Sequence, residues 1–171
     1  VDFSEAMIER AKSDCQDVRT ASGGVPQFSV GDALRLSADD LGQFDLVTSQ
    51  RCLINLPSWE DQQEALRRIA SVTKPGGRFI MMEGCAQGRR ALDEARERMG
   101  LDRMPNVWHN IDFEVDQTKE FLATDFELVH EQYLGTYDFV SRLVHPLLVA
   151  PEGPQYEAEI NRIAAELTMQ L

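Results

Sequence analysis

Few side chains in this chain are equipped to move a proton near neutral pH. His109, in the run Trp108-His109-Asn110, is the best placed of its three histidines. It falls in an irregular stretch, and imidazole titrates in the working range of a general base. Glu83, which ends the apolar run Phe79-Ile80-Met81-Met82, is a second candidate for that role. His145 stands before Pro146 in an apolar stretch and reads as structural, and His130 reads as a side chain decorating a strand. Arg51, after Ser49-Gln50, offers a planar cation suited to orienting an anionic ligand. Trp108, Tyr137 and Arg142 add aromatic and cationic groups that would suit a sugar, a phenol or a carboxylated metabolite, and residue chemistry does not choose among these. Other chemistries lack their residues: no GxSxG nucleophile turn occurs, and Cys15, Cys52 and Cys85 are widely spaced with no CxxC pair.

Composition narrows the setting. A chain of 171 residues with 43% hydrophobic content predicts one domain with a sizeable core. A net charge of −12 disfavours nucleic acid and anionic membranes as partners, because both call for a cationic surface. The cysteine usage fits a reducing cytoplasm. No apolar run approaches the roughly 18 residues of a membrane helix.

The elements that must hold these side chains alternate between strand and helix. Phe3, Met7, Ile8, Ala11 and Cys15 recur at helical spacing after Ser4, a suitable N-cap, so a helix is expected from Glu5 to Asp14. Gln27–Val30 and Phe44–Ser49 read as strands. Trp59, Leu66, Ile69 and Val72 form the stripe of a helix that Lys74-Pro75-Gly76-Gly77 stops. Arg78–Glu83 reads as a strand buried on both faces. A charged helix over Arg89–Met99, an irregular insert over about 100–115 and a short helix over Thr118–Ala123 follow. Glu127–Tyr133 and Thr136–Leu143 suggest an antiparallel hairpin around Gly135, and the chain closes on an amphipathic helix over about 156–167. The expectation is an α/β, doubly wound sheet whose strands near Phe28, Phe44 and Phe79 are parallel.

Three signals in order, Val1-Asp2-Phe3-Ser4 with its helix, Gly31-Asp32-Ala33, and Phe44-Asp45-Leu46-Val47 followed by Lys74-Pro75-Gly76-Gly77, give the chain its family likeness. It resembles the class I S-adenosylmethionine (SAM) methyltransferases, most specifically over its first two-thirds. The resemblance implies a Rossmann-like fold and SAM as cofactor, with in-line transfer of a methyl group to a small-molecule acceptor, here expected at oxygen. It also implies that Asp2 receives the ribose hydroxyls, that Phe3 and Met7 border the adenine, and that Asp32 and the backbone of Ala33 meet the adenine edge. Gln50 would line the methionyl end. Arg51, Trp108 and Tyr137 would contact the acceptor, with His109 or Glu83 as base. No metal is expected, since the carboxylate and Asn set of the Mg²⁺-dependent relatives is missing. Ser49-Gln50-Arg51-Cys52 also replaces the element typical of nucleobase-methylating enzymes.

The chain departs from the family in one respect: no GxGxG occurs in it. It reads as a partial, N-terminally truncated domain, beginning at the family's second strand and lacking half of its cofactor pocket. A catalytically inactive subunit that supports a partner is the alternative, and homo-oligomer formation is left open. A nicotinamide-dependent oxidoreductase is disfavoured, because no Tyr has a Lys four residues on.

Overall fold

The computed structural model describes residues 1–21, 23–105 and 107–168, and folds into two compact units, Val1–Glu83 and Gly84–Leu171. In the first unit, α1 (Glu5–Asp14) has the predicted bounds. The Ser4 hydroxyl accepts from the Met7 N–H at its start, and Ile8 is the residue that it buries. A 3₁₀ turn (Ala33–Arg35) and a single-turn helix, α2 (Ala38–Leu41), lead to β1 (Phe44–Gln50). The chain then crosses over through α3 (Trp59–Val72) and returns as β2 (Thr73–Met82), which pairs parallel with β1 from Leu46↔Arg78 to Gln50↔Met82.

Parallel pairing dictates this route, since two parallel neighbours need a crossover rather than a tight turn. The crossover helix buries Gln62, Ala65, Leu66, Ile69 and Val72, a stripe of helical period, and its N-cap Ser58 accepts from the Asp61 N–H. With Leu53 and Ile54 these residues form the unit's core. Gly77 is fixed by close approach: a Cβ there would lie 2.9 Å from the Lys74 carbonyl oxygen and 3.1 Å from that of Phe44. Nearby, Lys74 donates to both oxygens of Asp45 and holds that carboxyl below its usual range.

Two expectations for this unit change in detail. The strand over Gln27–Val30 is reduced to one parallel bridge, Asp2↔Val30. Its partner segment is short, because α1 begins just after Asp2. The strand ending at Met82 is covered on one face only. Val47, Ser49, Phe79 and Met81 point to the packed side, while Leu46, Ile80 and Met82 are 52%, 52% and 44% exposed.

The second unit is helical. It comprises α4 (Ala86–Arg98), α5 (Val115–Leu122), α6 (Gly135–Phe139), a π-helical turn (Val140–Val144), α7 (His145–Val149) and α8 (Glu159–Leu167). The expected hairpin is therefore overturned. Glu127–Tyr133 has no regular secondary structure, and Thr136–Leu143 is helical. The stretch reads as a strand in the expected hairpin around Gly135. The spacing of Phe139, Val140, Leu143, Val144 and Leu147 is nevertheless helical, and packing on that face prevailed over propensity. Phe113, Leu143, Pro146 and Ala164 are among its buried apolar residues, with Asp93, Thr118, Ser141, His145 and Asn161 among its buried polar ones.

The uncovered sheet face makes a measurable prediction. Expressed as these 171 residues, the chain should bind a hydrophobic dye such as anilinonaphthalene sulfonate and associate at raised concentration, as exposed apolar patches do. The Leu46→Lys, Ile80→Lys double variant should lower both signals with its circular dichroism spectrum kept. Dye fluorescence unchanged by the two lysines would show that this face is not the source.

Candidate functional site

The carboxyl ends of β1 and β2 are tied together by one side chain. Glu83, the first residue beyond β2, accepts at Oε1 from the Ser49 hydroxyl at 2.6 Å and from the Cys52 and Leu53 N–H groups, each at 3.1 Å. Its Oε2 accepts from the Ile54 N–H at 3.4 Å. The carboxylate thus gathers the N–H groups that open the 3₁₀ turn Leu53–Asn55, which have no partner within the turn.

Between these anchors stand Gln50 and Arg51, both exposed. The Arg51 N–H donates to the Met82 carbonyl at 2.8 Å, extending the ladder one step beyond β1. Arg51 then takes a left-handed backbone, φ 47°, and its carbonyl accepts from the Asn55 amide at 2.8 Å. That conformation costs a residue with a Cβ about 1–2 kcal/mol, so it persists only where the surroundings enforce it. Cys52 follows. Desolvation around its sulfur pushes the thiol pKa up, and the negative charges of Glu83 and Asp2 push it the same way.

Asp2 is therefore within electrostatic reach of this turn. Its backbone pairs with the segment before Asp32: the Asp2 N–H donates to the Ser29 carbonyl at 3.2 Å, and the Gly31 N–H donates to the Asp2 carbonyl at 2.9 Å. Its carboxylate Oδ1 accepts from the Ser4 N–H at 2.7 Å. Asp32 caps the Ala33–Arg35 turn by accepting from the Leu34 N–H at 2.9 Å, with Arg35 at 3.8 Å. Phe3, 82% exposed, and Met7 lie beside Asp2 on the surface, and Ala33 opens the capped turn. The first unit thus pairs Asp2 with the segment leading into the Asp32–Ala33 turn, and ties the Ser49–Cys52 segment to Glu83.

The remaining expected residues belong to the second unit. Its insert, apart from Asn106, which lies outside the described residues, is fastened to α4. Arg89 donates to the Met104 and Pro105 carbonyls at 2.7 and 3.0 Å, and Asp93 accepts from the Met104 N–H at 2.9 Å. Farther on, the Phe113 N–H donates to the Gly84 carbonyl and the Ala86 N–H to the Phe113 carbonyl, each at 2.9 Å. Between these fixed points the Asn110 N–H donates to the Val107 carbonyl, closing a turn with Trp108 and His109 at its tip. The two rings meet edge to face at 5.2 Å, and Trp108 is 91% exposed. Tyr137 is on α6, half-buried, its N–H donating to the Thr168 hydroxyl.

Sequence reasoning placed Glu83 among candidate bases but missed the four donors around it, and it missed the left-handed backbone at Arg51. A polar residue at each strand end, Ser49 and Glu83, was the available signal for the first. For the second there was none, since Arg carries no preference for that backbone region. Among the described residues no group of His, Cys, Asp and Glu is arranged to hold a metal, and no helix is long and apolar enough to cross a membrane.

Comparison with known proteins bears on the fold that carries these residues. The family model of the methyltransferase domain matches residues 1–81, the stretch that carries Asp2, Asp32 and both paired strands. No curated protein matches the chain. Among solved structures, the YcgJ protein from Bacillus subtilis superposes with a TM-score of 0.51 at 20% identity, covering 72% of this chain and 49% of that one. The chain thus spans about half the length of that relative, and at this identity the likeness speaks for the fold. The α/β crossover, the parallel pairing and the match to the methyltransferase-domain family model thus all fall in the first half of the chain.

Proposed function

We propose that this chain is part of an enzyme that transfers a methyl group from SAM to a small-molecule acceptor, at oxygen. The observation that carries the reading is the coincidence of the methyltransferase-domain match with the Asp2↔Val30 bridge, which sets Asp2 next to the Asp32 turn. The donor set suits the adenosine half of SAM. Asp2 has one oxygen engaged by the Ser4 N–H and lone pairs left for ribose hydroxyls. Phe3 and Met7 offer exposed apolar surface to a purine ring, and Asp32 with the Ala33 backbone offers it a polar edge. Gln50 and Arg51, exposed beyond β1, suit the methionyl end and an anionic group on the acceptor. The chain's net charge favours a small acceptor over nucleic acid.

When bound, SAM supplies a sulfonium-activated methyl, and transfer requires chiefly that donor and acceptor be aligned. The chain's residues then have two tasks: holding the adenosine, and removing a proton from the acceptor hydroxyl. For the second task we assign His109, a ring at the tip of an anchored turn, with Trp108 and Tyr137 as acceptor contacts. Glu83 is the poorer base, because its Oε1 already accepts three hydrogen bonds.

Two substitutions test the assignment in the protein as its gene encodes it. Asp2→Ala should weaken SAM binding by on the order of 10- to 100-fold, the value of losing hydrogen bonds to a charged group. Calorimetry showing equal affinity would remove Asp2 from the site. His109→Ala should lower turnover by roughly 100-fold while leaving SAM affinity within error, the usual scale of a lost general base. Equal turnover of variant and parent from about pH 6 to 9, the range spanning imidazole titration, would reduce His109 to a loop residue.

A further inference from the structure

We propose that Glu83 is the positioning residue of the turn that presents Gln50 and Arg51, acting through the backbone and not as a proton acceptor; this rests on the reading that the two residues face ligand. The geometry is that of a clamp. Glu83 holds the Ser49 hydroxyl on one side of Gln50-Arg51 and the N–H groups of Cys52, Leu53 and Ile54 on the other. Leu53 and Ile54 are each 1% exposed, so water does not replace the carboxylate as their partner. Between the two sides, the Met82 carbonyl fixes the Arg51 N–H, and the Asn55 amide fixes the Arg51 carbonyl. The left-handed backbone at Arg51 is thereby enforced from three directions, and Glu83 supplies the contacts that span it. A side chain that only orients others can give up its charge, provided its oxygen stays in place. A base cannot.

That difference sets the experiment, run on the protein as its gene encodes it, with Glu83→Gln, Glu83→Ala and Glu83→Asp compared with the parent. Hydrogen exchange reads the clamp directly. Of the Cys52, Leu53 and Ile54 amides, the first two should stay protected in Glu83→Gln, which keeps an acceptor at the Oε1 position but not at Oε2, the partner of Ile54. They should exchange at least about tenfold faster in Glu83→Ala, with the α3 amides unchanged, as expected when local partners alone are lost. Calorimetry with SAM as the probe reads the consequence. Affinity should stay within about threefold for Glu83→Gln and fall about tenfold for Glu83→Ala, and adding Gln50→Ala to Glu83→Ala should cost nothing further, the mark of two residues acting as one. If Glu83→Ala does not fold, Glu83→Asp takes its place, since it keeps the charge but withdraws the oxygens by one methylene.

Unchanged amide exchange in Glu83→Ala would overturn the proposal. So would a Glu83→Gln variant that loses turnover as fully as Glu83→Ala while keeping SAM affinity, for that is the behaviour of a base. If the parent itself fails to bind SAM, the methyl-transfer reading falls, and the amide exchange still decides the role of Glu83.

Discussion

Parallel pairing of β1 with β2 is the constraint from which the first unit follows. Two strands running the same way force the chain to leave at the carboxyl end of one and re-enter at the amino end of the other, so a helix must span the distance. That helix, α3, supplies the cover for one sheet face and most of the core. The same constraint leaves both carboxyl ends side by side, with Ser49 and Glu83 within hydrogen-bonding distance though 34 residues apart in sequence. What stands at that shared end is a short turn whose N–H groups at Cys52, Leu53 and Ile54 have no ladder to join, and one carboxylate satisfies them.

Much of this was legible in the residues. The bounds of α1 and α3 could be read from Ser4 and Ser58 as caps and from the helical spacing of Ile8, Leu66, Ile69 and Val72, because local hydrogen bonding and one-sided burial act within a few residues. The strands at Phe44 and Phe79 were legible for a similar reason. The family likeness then placed Asp2 and Asp32 at corresponding strand ends, and the structure pairs the two segments.

What escaped was set by longer-range effects. Thr136–Leu143 has strand-like side chains but a helical face, and only packing in the second unit decides between them. The exposure of Ile80 and Met82 was equally invisible, because a continuous apolar run declares that burial is affordable, not that a partner covers it. The role of Glu83 lay in donors contributed by residues that no sequence spacing links to it. His109, by contrast, owes its setting to Arg89, Asp93 and Phe113, which pin both flanks of its loop. An irregular stretch can therefore still present a side chain in one place.

The environment of Cys52 carries a chemical consequence. Desolvation, and then the negative charges of Glu83 and Asp2, push its thiol pKa up. A thiolate is the most reactive competitor that any electrophilic alkyl donor meets in a protein, and a neutral thiol is a far poorer one. The same carboxylate that shapes the turn therefore also lowers the thiolate fraction of the sulfur lying next to it.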